Sequence, residues 1–286
     1  MKKLLIILSL VMVAGACISA PRKARRRLQL AASGAFSPSD LGSKLAVWLD
    51  GSDNSTLLDA SDNVCTNGVA IKTWSDKSGN SRDAVQVTVS LQPTFRTATQ
   101  NSLSVVRSDG DDRMLILLAS SVFRNKTQGH IFIVAKDADQ TGGNSYHMFA
   151  GWTRNADGST RFAVFGKSGT TYKWLSVGRR LDADTPVVSA NAIASGHNLI
   201  HGFADWSAGY LRCSLNSSVY TSVAYPSGAG SSSDTDSNQS AIFGYGFHTT
   251  EVPANSEIAE VIAVNATMTA TEITNVETYL KNKWGL

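Results

Sequence analysis

Charge is scarce in this sequence. Asp, Glu, Lys and Arg make up only 17% of the 286 residues, while Ser, Thr, Asn and Gly are plentiful. Such a composition suits strands and turns better than surface helices. No CxxC pair and no His-rich tract is present: the five histidines are dispersed at 130, 147, 197, 201 and 248. A metal centre of the usual Cys/His spacing is therefore not encoded. HExxH, GxSxG, Walker A and the nucleotide-type GxGxxG are also missing, which removes the signals for zinc proteases, serine hydrolases and nucleotide-binding loops. No internal repeat is evident, and no domain boundary shows after Phe36.

The chain is long enough for one large core, and all-β sandwiches often use this length as a single domain. Residues 1–37 carry seven Lys/Arg and no acid, so of the net +3 the rest of the chain carries −4. A nucleic-acid footprint is thus not expected on the folded part; only the arm "RKARRR" has that character.

Residues 1–20 read as a signal-like leader. Lys2 and Lys3 precede an apolar run from Leu4 to about Ala16, the length of a signal h-region and short for a membrane span. Ala14-Gly15-Ala16 offers a small-x-small cleavage site before Cys17, and acylation of Cys17 is the lipoprotein alternative. Five basic residues follow the run and oppose translocation, so a reversed anchor and a later start near Pro21 stay open. Export is the expectation, with membrane contact confined to this leader. Residues 21–37 read as a basic, flexible tether, and 38–286 as the folded domain. Of the remaining cysteines, Cys213 lies between Leu211 and Leu215 on one strand face and reads as core; a Cys65–Cys213 disulfide would require suitable geometry.

From Phe36 onward, short apolar runs alternate with turn residues. Strands are expected at 45–49, 70–74, 84–89, 104–107, 114–118, 131–136, 146–151, 161–166, 172–177, 187–190, 199–204, 210–215, 219–224, 241–245 and 257–264. "YPSGAGSSSDTDSNQ" (225–239) reads as a flexible surface loop. One helix is expected at the end, in "TATEITNVETYLKNKWGL". Thr269 and Glu272 form a capping box, Ile273, Val276 and Leu280 recur at helical spacing, Lys281 and Lys283 suit the C-terminal dipole, and Gly285 ends it.

Four stretches carry a family resemblance: "LAVWLDGSD" (45–53), "IKTWSDKSGNSRDAVQ" (71–86), "VVRSDGDDRMLI" (105–116) and "IAEVIAVNATMTATEITNVETYLKNKWGL" (258–286). They resemble the first strand, the Trp-x-Asp-Lys-Ser-Gly-Asn turn, the Phe-Asp-Gly-x-x-Asp hairpin and the closing strand and helix of LamG-like, concanavalin A-like jelly-roll domains of bacterial and phage surface proteins. Arg107-Ser108 stands where that family has an aromatic. The resemblance spans roughly residues 38–286. It implies an all-β, two-sheet antiparallel jelly-roll sandwich with one C-terminal α-helix. It says less about function, since the fold hosts lectins, glycosidases, adhesion modules and virion parts.

The acid pair of a retaining glycosidase, two carboxyl groups about 5 Å apart, has no counterpart in the Glu-x-Asp-x-Glu strand pattern of related endoglucanases. Glu257 and Glu260 are three apart, so on a regular strand they face opposite ways and read as solvated. His197 and His201 are candidates for a shared strand face. In "SDGDD", Asp109, Asp111 and Asp112 surround Gly110. An EF-hand loop from Asp109 fails, because Arg113 and Met114 occupy its fifth and sixth positions. Asp-Gly between two apolar strands reads as a hairpin turn, with a calcium site at the three aspartates as the alternative; "DKSGN" at 76–80 reads the same way. Sugar rings stack on aromatic side chains, which makes Tyr146, His147, Trp152, Tyr172, Trp174, Trp206, Tyr245 and His248 the ligand-binding candidates, against the alternative that most are core. The functional expectation is a non-catalytic, exported module binding a glycan or a surface partner, with no catalytic residues and no required cofactor. The alternatives are a virion fibre or decoration protein using the same fold, and a divergent glycoside hydrolase or lyase.

Overall fold

The computed structural model describes residues 35–138, 146–154, 159–167, 173–192, 195–237, 239–244 and 255–286. Phe36–Leu286 forms one packed unit. Its strands are β1 (Leu45–Asp50), β2 (Leu57–Leu58), β3 (Thr73–Trp74), β4 (Ala84–Val85), β5 (Thr94–Gln100), β6 (Leu103–Arg107), β7 (Met114–Ile116), β8 (Gln128–Lys136), β9 (Tyr146–Arg154), β10 (Ser159–Lys167), β11 (Lys173–Gly178), β12 (Val187–Ala192), β13 (Asn198–Asp205), β14 (Tyr210–Leu215), β15 (Thr221–Ala224), β16 (Gln239–Ile242) and β17 (Glu257–Val264). One α-helix, α1 (Ala270–Trp284), follows.

Two antiparallel sheets result. The first has the order β15-β14-β13-β8-β17-β6-β5, with β1 also paired to β17; the second runs β12-β11-β10-β9-β16-β7-β4-β3-β2. The period-two pattern explains the stacking. Val47, Ile131, Ile133, Ile200, Leu211, Cys213, Val261 and Ala263 of the first sheet meet Trp74, Met114, Phe149, Trp152, Phe162, Val164 and Trp174 of the second in one apolar core. The molecule is thus a two-sheet antiparallel jelly roll with a C-terminal helix.

Helix α1 covers the outer face of the first sheet. Val276, Leu280 and Trp284 bury against Trp48, Val105, Phe132, Leu199, Ala259 and Ile262, each large side chain contributing about 1.5–3 kcal/mol of transfer free energy. The capping box is formed: the Glu272 N–H donates to Thr269 Oγ1 at 3.2 Å, and the Thr269 N–H to Glu272 Oε2 at 2.7 Å. Gly285 closes the helix at φ +69°, its N–H donating to Lys281 O, a left-handed cap that costs glycine little.

The structure corrects several expectations. Glu257 and Glu260 are both fully buried. A bulge at Ala259 resets the alternation, so Ile258 and Val261 both enter the core and both glutamates point outward beneath covering residues. Glu260 accepts from Trp48 Nε1 (2.7 Å), Trp284 Nε1 (2.8 Å), Tyr279 OH (2.9 Å) and Lys283 Nζ (2.8 Å). His201 sits in β13 against His130, whereas His197 lies by Glu257, so the two do not share a site. Cys65 and Cys213 are both free thiols. The described part of the segment 225–239, residues 225–237, is tied down rather than loose: Ser232 Oγ donates to Phe123 O at 2.7 Å, Arg180 Nη2 to Ser227 O at 2.7 Å, and Thr235 bonds Asp182. Small polar side chains there satisfy the backbone groups of neighbouring loops.

Candidate functional site

The "SDGDD" segment is not a hairpin. Strand β6 before it pairs with β5 and β17 in the first sheet, while β7 after it pairs with β4 and β16 in the second. It is therefore a crossover between sheets at one end of the sandwich. Gly110 takes φ +129°, a conformation that residues with a Cβ rarely adopt. Asp112 turns inward: it is only 1% exposed, and its Oδ2 accepts the Asp109 N–H at 2.7 Å. Its Oδ1 is buried without a hydrogen-bond partner. One carboxylate oxygen from each of Asp109, Asp111 and Asp112 lies within 4.8 Å of the other two. Burial, reinforced by the charges of Asp109 and Asp111, pushes Asp112 up to about 7. An all-oxygen donor set with an unsatisfied buried oxygen fits a hard cation such as calcium, which Asp112 and the exposed Asp109 and Asp111 would hold.

The crossover is stitched to a second group of polar residues. Ser108 N–H donates to Ser256 O at 2.9 Å, and Asn255 N–H to Ser108 O at 2.8 Å. Ser256 Oγ in turn donates to Asp137 Oδ1 at 3.3 Å, and Asp137 Oδ2 lies 2.8 Å from His147 Nδ1. All three side chains are buried. One residue along, Glu257 Oε1 accepts from Arg107 Nε at 2.7 Å and also from Arg107 Nη2. Its Oε2 lies 3.1 Å from His197 Nε2. Burial would raise the Glu257 carboxyl, but the His197 imidazole beside it and the hydrogen bonds from Arg107 outweigh that and hold it below its ordinary value. The ends of β6 and β8 and the starts of β9, β13 and β17 thus gather five carboxylates, two histidines and Arg107 at one end.

Of the aromatic candidates, His147 belongs to this cluster. Tyr146, next to it in β9, points to the opposite face and is half-buried against the outer cluster of Met148, Phe165 and Leu175, with Lys167 Nζ 4.8 Å from its ring centroid and Phe165 edge-on at 6.4 Å. Trp152, Trp174 and Trp206 are interior, each 0% exposed, so none presents a ring to a ligand here. Trp152 packs edge-on against Phe123 and donates to Ala119 O; Trp174 packs against Phe149; Trp206 donates to Arg179 O. Their large apolar area fills the gap between sheets. Tyr172, Tyr245 and His248 lie outside the described residues, as do residues 1–34. Asp137, Ser256, Glu257, His197 and Arg107 were not foreseen as members of the cluster. They are scattered from 107 to 257, and nothing local in the sequence joins them.

The "DKSGN" turn has a structural task. Asp76 Oδ1 accepts the N–H groups of Trp48 and Ser78, both at 2.9 Å, and Asn80 Nδ2 donates to Leu45 O at 2.9 Å. The turn is clamped onto the free edge of β1, which shields that edge from foreign strands. Lys77 bridges Asp50 (2.9 Å) and Asp53 (2.7 Å) above it.

No protein-family model and no curated protein matches the sequence. Among solved structures the fold is similar to that of botulinum neurotoxin type C, in a structure describing cell entry dependent upon two ganglioside molecules (8% identity, TM-score 0.51, 85% of this chain and 53% of that one). It is similar to the receptor binding domain of a mosaic serotype C/D botulinum neurotoxin (10% identity, TM-score 0.54, 85% and 52%). It is also similar to Trypanosoma rangeli sialidase in complex with the inhibitor DANA (8% identity, TM-score 0.51, 89% and 37%). The chain spans about half the length of the toxin chains it matches. At such identities the likeness establishes a shared β-sandwich fold.

Proposed function

We propose that this chain is a non-catalytic, exported carbohydrate-binding module of the LamG-like kind, which engages glycans or a glycan-bearing surface partner at the carboxylate-rich end of the sandwich. The observation that carries this reading is the gathering of Asp109, Asp111 and Asp112 at the crossover, which Ser108 and Ser256 join to the Asp137–His147 pair, with Tyr146 on the outer face at the same end of β9. Carboxylates accept hydrogen bonds from sugar hydroxyls, and an aromatic ring takes the apolar face of a pyranose. A cation held by the three aspartates would serve the same end by ordering the crossover. The toxin structure linked to gangliosides and the sialidase holding an inhibitor lend support of fold only.

A binding role is favoured over hydrolysis by how the candidate acids are engaged. Glu257 is held by Arg107, and Glu260 is saturated by four donors beneath α1. Neither is placed as a general acid with access to solvent. The test is a glycan array probed with wild type, Asp111→Asn and Tyr146→Ala, each with calcium and with chelator. Binding of neutral glycans that is lost in both variants is the expected result. No bound glycan, or binding indifferent to both substitutions, overturns the assignment to this end.

A further inference from the structure

Strand β14 alternates strictly. Leu211, Cys213 and Leu215 enter the core, so Tyr210, Arg212 and Ser214 face outward. Strand pairing sets two rows on that outer face: Phe203, Arg212 and Ser222 in one, Asp205, Tyr210 and Ala224 in the next. Helix α1 lies over neighbouring rows, where Glu277 reaches His201 and Leu280 and Trp284 bury. The Tyr210 row stays open. Tyr210 is 42% exposed, and among the described residues it is the one aromatic side chain of the exposed class.

Arg212 is fixed beside it. Its guanidinium carbon lies 5.1 Å from the Phe203 ring centroid and 5.8 Å from that of Tyr210. Nη2 is 3.3 Å from Asp205 Oδ2, and the side chain remains 30% exposed. Asp205 is itself pinned, accepting from Ser207 Oγ (3.0 Å), the Ala208 N–H (3.2 Å) and Gln128 Nε2 (3.4 Å) through Oδ1. The guanidinium is therefore held from below by two rings and at one edge by one carboxylate. Its single ion pair uses one nitrogen of a fork that carries five N–H donors, and among the described residues no other acceptor engages it. Ordering an arginine in this way removes much of the rotamer entropy that a ligand would otherwise have to overcome.

We propose that Tyr210 and Arg212 form a second subsite, for a sugar bearing a carboxylate. The apolar face of the pyranose stacks on the Tyr210 ring, and the planar carboxylate takes the free edge of the guanidinium fork. The exposed Ser222 beside Arg212 supplies a hydroxyl for a ring substituent. This inference deepens the sugar-binding reading and rests on it, yet it lies on the outer face of the first sheet rather than at the Asp109–Asp112 end. The whole folded part carries net negative charge, so selectivity for an acidic sugar arises from this local fork and not from a general attractive field.

The probes are methyl α-N-acetylneuraminate and an oligogalacturonide, each beside its carboxyl-reduced counterpart, titrated into the intact chain by ligand-observed NMR. At least one acid is expected to bind five-fold or more tightly than its reduced form. Arg212→Gln abolishes that preference. Arg212→Lys, which keeps the charge but not the fork, loses most of it. Tyr210→Ala weakens acid and neutral forms alike. Far-UV circular dichroism verifies that each variant folds. Equal binding of acid and reduced forms by wild type overturns the proposal, as does a preference that survives in Arg212→Gln. Glucose 6-sulfate binding as tightly as the carboxylates also overturns it, in favour of a general anion site. If the preference instead disappears in Asp111→Asn, acidic sugars bind at the crossover end, and the module reading outlives this subsite.

Discussion

Replacing Glu260 with alanine tests whether the closing helix is locked by one buried carboxylate. Four donors converge on Glu260 at 2.7–2.9 Å: two indole N–H groups, one phenol and one ammonium. Two of them, Trp48 and Trp284, are buried themselves, and Glu260 is 0% exposed. Orphaning a buried donor costs about 1–3 kcal/mol, and removing one partner of a buried ion pair costs about 3–5 kcal/mol in total. The costs are not additive, because Lys283 keeps Asp50 at 2.7 Å as a second acceptor. A loss of about 4 kcal/mol is expected. With a guanidinium m-value of about 5 kcal/mol per M for a domain of this size, the unfolding midpoint falls by roughly 0.8 M. The assay is equilibrium unfolding in guanidinium followed by tryptophan fluorescence. Glu260→Gln, which retains one acceptor oxygen, should fall between wild type and alanine. A Glu260→Ala midpoint within 0.2 M of wild type, roughly 1 kcal/mol by the same m-value, would show that the four bonds add nothing net and refute the reasoning.

Acid should loosen the same face. His130 and His201 are fully buried, with Nδ1 of the first 3.1 Å from Nε2 of the second, and burial holds both below the ordinary histidine value, for His201 against the pull of Glu277. The unfolded chain then binds protons that the native chain refuses, so stability falls as pH drops below about 6.5, by up to about 1.4 kcal/mol per unit for each histidine. His130→Phe should flatten that limb in melts between pH 4.5 and 7; an unchanged slope would show that the pair does not titrate. Asp112 has the opposite sign. Its native value is raised to about 7, so the native state holds a proton that the unfolded state has released, and stability falls as pH rises from about 4 to 7. Asp112→Asn should remove this slope in chelator, and should also remove any calcium-dependent rise in wild type; a calcium rise that persists in the variant would exclude Asp112 as a ligand. Truncation after Asn275 deletes Val276, Leu280 and Trp284 from the outer cluster, and a melting temperature unchanged by it would show that α1 is not part of the cooperative core.

Strands written as continuous apolar runs were legible from sequence. "LAVWL", "IFIVAK" and "LIHGFA" fall within β1, β8 and β13. Strand β2 escaped because it has only two residues, and β5 because "TFRTATQ" carries one buried apolar side chain among polar ones. Helix α1 was fully written in its cap, its stripe and its terminal glycine. The crossover at Asp109–Asp112 was misjudged as a hairpin because local turn chemistry does not reveal which sheet the next strand joins. Glu260 was misplaced because a bulge shifts parity without a sequence signature. The candidate end was half legible: the acidic turn announces itself, whereas Asp137, Ser256 and Glu257 meet it only through pairing across more than a hundred residues. Among aromatics, residue type does not tell a core ring from an open one, so Trp152, Trp174 and Trp206 stood out while the exposed Tyr210 did not.

The placement of β17 dictates when this chain becomes able to fold. Leu45 pairs with Val264, and β17 lies between β8 on one side and β1 with β6 on the other. The strand at the middle of the first sheet is therefore made after the other described strands of this domain. Until it arrives, β1 has no strand to pair with, and β6 and β8, though paired with β5 and β13, each keep one open edge. Pairing at such separation in sequence also slows the search for the native state. A polypeptide interrupted before Glu257 would not be a smaller version of the domain but a set of adhesive strands prone to aggregation.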